Sequence, residues 1–170
     1  PEQGKVWEPE VYKTTSDNVF SGRSDHAAIA LGQYLYVIGG FDGTYLNDVW
    51  RSEDGKNWTP ILEPTSSENT NQFAPRAGHA CVVYNGEIWL TGGFAETDSG
   101  NRYFDDVWHS DNGVTWTKAI AEADYFQRAW HNLVVFNDRL WIIAGQTQDA
   151  NQEEVLLDDC WESSADGKSW

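Results

Sequence analysis

The chain has 170 residues with a formal net charge of −16; 40% are hydrophobic, including ten Trp, seven Tyr and seven Phe. That is one domain's length with ample aromatic mass for a packed core, which excludes a disordered or fibrous class. The charge repels phosphate backbones and anionic lipid, which argues against nucleic acid and membrane as partners, and no apolar run nears the ~20 residues that cross a bilayer as a helix.

In chain order, residues 1–22 carry GKVW at 4–7, which matches GKNW at 55–58 and GKSW at 167–170. They read as an orphan outer strand and the loop after it. Residues 23–62 form a first unit, RSDHAAIALGQYLYVIGG followed by DVWRSEDGKNW. Its strands are expected at His26 to Leu31, Tyr34 to Ile38, around Asp48 to Trp50, and Asn57 to Ile61. Residues 76–120 repeat the pattern as RAGHACVVYNGEIWLTGG and DVWHSDNGVTW, with Asn85-Gly86 as a strong hairpin signal. Residues 128–170 repeat it again as RAWHNLVVFNDRLWIIAG and DCWESSADGKSW, stopping where a fourth strand would begin. A unit of roughly fifty residues with four short strands joined by Gly and Asn turns is one blade of a propeller.

This pattern resembles the kelch-repeat β-propellers, of a bacterial-looking type, over nearly the whole chain. The residues that carry the resemblance are Gly39-Gly40 and Gly92-Gly93, the strand-two aromatics Tyr36, Trp89 and Trp141, and the strand-four Trp58 and Trp116. The third copy departs, with Ala144 for the first Gly and Cys160 in place of Val49 and Val107. The expected fold is all-β: a kelch-type β-propeller with three four-stranded blades per chain, half of a six-bladed whole. Strand exchange of the kelch kind then implies a partner. Either a second copy completes a homodimer, each N-terminal strand closing the other's third blade, or the missing blades belong to a longer chain.

Topology puts the tight turns on one face. On the other lie 9–22, 59–75 and 117–127 between blades, and 41–47, 94–105 and 146–158 within them, all read as long loops. Arg23, Arg76 and Arg128 precede the innermost strands, where they either grip an anion at the pore mouth or tie the blades through Asp48, Asp106 and Asp159. Phe20, Phe73 and Phe126 read as loop anchors. Non-repeated aromatics stand out as ligand-facing candidates: Trp130, which replaces Asp25 and Gly78, together with Tyr45, Phe94, Tyr103 and Tyr125. Aromatic faces among amides and carboxylates suit a sugar ring or a peptide.

Catalytic, cofactor and metal signals are thin. His26, His79 and His131 are repeat-equivalent and read as structural hydrogen-bonding groups. Cys81 and Cys160 read as buried apolar thiols, and no nucleophile or zinc spacing appears. The resemblance leaves several functions open: a non-catalytic module binding a glycan or peptide, a sugar-active enzyme such as a sialic-acid epimerase, or a purely architectural half-propeller. A copper site like that of galactose oxidase has no recognisable counterpart. A secreted or periplasmic location is expected ahead of a cytoplasmic one.

Overall fold

The computed structural model describes residues 19–97 and 100–170. The orphan strand expected within residues 1–22 falls on 1–18 and lies outside the described residues. Strands β1 (Ala27–Leu31), β2 (Tyr34–Phe41), β3 (Tyr45–Ser52) and β4 (Thr59–Leu62) form one antiparallel meander in sequence order. A second blade contains β5 (Ala80–Tyr84) and β6 (Glu87–Thr91); its β9 (Val107–Ser110) and β10 (Thr117–Ile120) complete the order β10-β9-β6-β5. Between β6 and β9 the chain forms a separate hairpin of β7 (Phe94–Thr97) and β8 (Gly100–Tyr103). The third blade has β11 (Asn132–Phe136), β12 (Arg139–Gln148) and β13 (Glu154–Glu162), three strands among the described residues.

The three long loops expected within the blades are therefore largely strand, 41–47 through the ends of β2 and β3. Residues 94–105 are mostly the β7–β8 hairpin, and β12 and β13 continue past Gly145 with Gln148 paired to Glu154. The alternation that makes these ribbons is masked by their Asn, Gln and Asp content, because most of their residues stay in solvent and only a few, such as Ala95, Tyr103 and Thr147, are buried. The turns follow the sequence signals. Asn85-Gly86 and Asn137-Asp138 hold positive φ at both positions, as a two-residue hairpin requires.

The core lies between blades rather than within them. Successive strand residues face opposite sides, so Tyr36 and Ile38 of β2 meet Ile88 and Leu90 of β6, with Trp108, Trp116 and Phe73 filling the layer. The opposite face of the second blade gives Tyr84, Trp89 and Val107 to Leu133, Leu140 and Ile142. A middle blade is thus buried on both faces, which is why β6 reads as a continuous apolar run. At the forward face of the third blade the same positions are open: Val134, Phe136 and Ile143 are 40%, 60% and 40% exposed. Cys160 is exposed there too, contrary to the buried thiol expected, because no described residue covers that face.

Candidate functional site

The three repeated arginines are structural stitches. Arg76 is fully buried; its Nη1 and Nη2 donate to the two carboxylate oxygens of Asp106 at 2.5 and 2.9 Å, Nη1 also reaches the Gly92 carbonyl and Nε the Ala74 carbonyl. Arg23 repeats this set on Asp48, Gly39 and Ser21, and Arg128 on Asp159, Ala144 and Phe126. Each side chain thereby clamps its own blade. The backbone holds the preceding blade, with Gly40 N–H donating to the Arg76 carbonyl and Arg76 N–H to the Leu46 carbonyl, and the same pattern at Gly93, Arg128 and Phe104. The Asp-x-Trp spacing completes the clamp, since residues two apart share a strand face: Trp50, Trp108 and Trp161 donate their indole N–H to the same aspartates at 2.8 Å. With four or five donors already committed, these guanidiniums take the second of the two expected roles, through Asp48, Asp106 and Asp159, and are not an open anion grip.

Tyr125 also leaves the ligand-facing set. It is 2% exposed, its hydroxyl bonds Thr91, and its ring packs edge-on against Trp170 at 5.4 Å. Counting three residues back from each arginine explains it: Phe20, Phe73 and Tyr125 are the equivalent anchors, each lying near its arginine's guanidinium. Phe126, expected as the anchor, is instead 72% exposed.

The remaining four candidates come together. Tyr45 meets Phe94 at 5.8 Å between ring centroids, Phe94 meets Tyr103 at 5.0 Å and Trp130 at 5.8 Å, and Tyr103 meets Trp130 at 6.5 Å. Phe41, which the sequence reading passed over, extends this shelf at 5.0 Å from Tyr45 and is 38% exposed. Such offset and edge contacts are the favoured aromatic geometries. Burial and the nearby Glu96 and Asp25 carboxylates push the Tyr45 phenol above its ordinary pKa. Burial and Glu154 raise Tyr103, opposed by a hydrogen bond from the Gln146 amide.

Trp130 occupies a special backbone position. Asp25, Gly78 and Trp130 start the three inner strands with φ of 54°, 65° and 53°, and they are linked in a row by Gly78 N–H to the Asp25 carbonyl and Trp130 N–H to the Gly78 carbonyl. The indole lies back across that row. Its Nε1 donates to Asp25 Oδ1 at 3.0 Å, and a Cβ on Gly78 would stand 2.9 Å from Nε1. Gly78 is thus the space over which Trp130 spans from the third blade to the first. The ring remains 45% exposed.

The histidines differ from expectation in one respect. Neither ring nitrogen of His131 meets a hydrogen-bond partner, and His79 has only an approach to the Ile38 backbone. Their role is packing, with His79 Cε1 seated against Gly39 and His131 Cε1 against Gly92. Burial, with Arg76 beside one and Arg128 beside the other, pulls both imidazoles down to about 3. Among the described residues no group of three or more His, Cys, Asp or Glu is placed to hold a metal ion.

Radial antiparallel blades, a core confined to the layers between them and a clamp repeated in each define a β-propeller. The profile of the KLHDC2/KLHL20/DRC7 kelch-repeats domain matches residues 5–170, and the chain belongs to the kelch-repeat family. It is similar to beta-scruin of Limulus polyphemus, 28% identical over 158 residues that cover 86% of this chain and 16% of that protein. It is also similar to kelch repeat protein M-T8 of Myxoma virus (strain Lausanne), 31% identical over 133 residues that cover 75% of this chain and 23% of that one. The chain therefore spans less than a quarter of the length of these relatives. Among solved structures it superposes on that titled "Structure of YjhT" with a TM-score of 0.59 at 17% identity, covering 80% of this chain and 37% of that one, a likeness of fold.

Proposed function

We propose that this chain is a non-catalytic binding module of a kelch propeller, and that the shelf of Tyr45, Phe94, Tyr103 and Trp130 is where it takes a protein segment. One observation carries this reading. A tryptophan at φ 53° is a costly choice where the equivalent blades use Asp and Gly. A left-handed backbone costs a residue with a side chain about 1 kcal/mol or more, and a bulky residue held so points to function rather than to local folding. Trp130 also leaves nearly half its ring in solvent, so burial does not account for it. Kelch relatives fit a protein-interaction role. A glycan is the second reading, favoured by the Gln146 amide and the Asp25 carboxylate beside exposed ring surface.

The forward face of the third blade, which no described residue covers, supports a further part of the proposal. The blades that complete the propeller come from a second copy, giving six, or from the rest of a longer chain. Light scattering separates these: a species near twice the 19.2 kDa chain mass supports the homodimer, and a monomer at all concentrations removes it. For the shelf, wild type and Trp130→Ala are compared on a peptide array and a glycan array. The reading expects binders of the wild type that are lost in the variant, and equal binding by both would overturn it.

A further inference from the structure

A second feature of the same face shares no lining residue with the shelf and does not depend on it. Between the second and third blades is a cavity of about 530 Å³, lined among others by Phe126, Val155 and Leu157 and by the carboxylates Asp105, Asp124 and Asp149. Phe126 is 72% exposed, and it stands where the other units carry Ser21 and Ala74. Nothing in the repeat requires it, because Tyr125 serves as the anchor. The matching cavity between the first and second blades, about 430 Å³, differs in kind: it has small Ala74 at that position, and Arg102 stands among its carboxylates Glu68 and Glu96.

Among the described residues no Lys or Arg lines the cavity beside Phe126. Arg128 lies nearby but is buried and committed to Asp159. Asp149 is fixed by its own turn, accepting the Asn151 and Glu153 N–H groups, and these bonds hold it ionised below its ordinary pKa. Asp105 is pushed upward by burial and by Asp106 and Glu122, with Arg102 from the adjoining cleft opposing. An incoming cation relieves that crowding, and a large apolar side chain covers the exposed Phe126 ring.

We propose that the cleft between the second and third blades is a docking site for a basic, apolar peptide segment, seating an apolar side chain on Phe126, Val155 and Leu157 and placing Lys or Arg against Asp105 and Asp124. Charge complementarity selects this occupant: among the described residues the charged groups lining the cleft are all carboxylates, and the chain carries −16 overall.

The test uses three fluorescein-labelled octapeptides, alternating Lys-Leu, Glu-Leu and Lys-Ser, titrated by fluorescence anisotropy. The Lys-Leu peptide should bind the wild type, more weakly at high salt, while the other two bind at least tenfold more weakly. Phe126→Ala and the pair Asp105→Asn with Asp124→Asn should each weaken Lys-Leu binding at least tenfold. Asp111→Asn removes a charge from the opposite face and should leave binding unchanged, as should Trp130→Ala, which separates this cleft from the shelf. Absence of Lys-Leu binding, equal binding of Lys-Ser or Glu-Leu, or wild-type affinity in the Phe126 and Asp105/Asp124 variants would overturn the proposal.

Discussion

Gly92 is where the blade-to-blade seal is tightest, and Gly92→Ala measures it. A Cβ built there stands 2.5 Å from His131 Cε1 and 2.6 Å from the Arg128 carbonyl oxygen, at φ +66°. The carbonyl cannot swing aside freely, because it accepts the Gly93 N–H at 2.8 Å in the seam between the second and third blades. Overpacking of this kind costs about 2 kcal/mol. The left-handed backbone adds about 1 kcal/mol, offset in part by ~0.7 kcal/mol from a stiffer unfolded chain. Gly86 supplies the control, with φ +78° and nothing within 4 Å of its Cβ. Gly86→Ala should therefore lose only the backbone part, and Gly92→Ala about 2 kcal/mol more. Urea unfolding followed by tryptophan fluorescence reads both. If the two variants lie within about 0.5 kcal/mol of each other, the seam is looser than the geometry requires.

Stability should fall with acid before the carboxylates titrate. His79 and His131 sit near 3 folded against 6.5 unfolded, so their contribution is complete above 6.5 and lost as pH drops toward 3. Two protons give a slope of about 2.7 kcal/mol per pH unit through that window, roughly halved in His131→Asn; unfolding free energies that stay flat from pH 7 to 5 would contradict this. Asp106→Asn should cost about 3 kcal/mol or more, since it strands a wholly buried guanidinium, whereas Asp159→Asn should cost less because that carboxylate is 30% exposed. Equal losses in urea midpoint would count against the ranking. Tyr125→Ala should lose about 3 kcal/mol or more as a core deletion, and Phe126→Ala under about 0.5 kcal/mol; comparing their thermal melts tests the assignment of the anchor.

The scaffold was legible because propeller blades repeat their constraints. Paired Gly, Asp-x-Trp and Asn-Gly recur at fixed offsets, and each maps onto one device: the Gly pair on close approach of the next blade, the Asp on the arginine clamp, the turn on positive φ. What misled was offset and reference face. Phe126 matches Phe20 and Phe73 in kind of ring, but Tyr125 matches them in distance from the arginine. Cys160 stands where the other blades have Val49 and Val107, but those two face a following blade and Cys160 does not among the described residues. Of the shelf only Trp130 breaks the repeat: Phe94 follows its paired glycines as Phe41 does, and Tyr103 stands three residues before its clamp aspartate as Tyr45 does. That they touch depends on the β7–β8 hairpin folding Phe94 against Tyr103, a pairing that has no apolar signature in the sequence.

The same contrast between repeated and unrepeated residues bears on how the third blade meets its neighbour. Where the first two blades have Gly39 and Gly92, the third has Ala144 at φ 56°. At the two glycines the following blade brings a His Cε1 to 3.0 and 2.5 Å and an Arg carbonyl to 3.3 and 2.6 Å of a hypothetical Cβ. Ala144 carries that methyl group in fact. A blade seated in front of the third, whichever chain supplies it, must then stand back by several tenths of an ångström at this level. Apolar contact has to be made further along, over Val134, Phe136 and Ile143. If that blade is the first blade of a second copy, its inner strand presents Ala28 and Ala30 there. Small side chains opposite a large exposed Phe136 would leave the room that such a displaced packing needs, and a seam there would have a different fit from the two inside the chain.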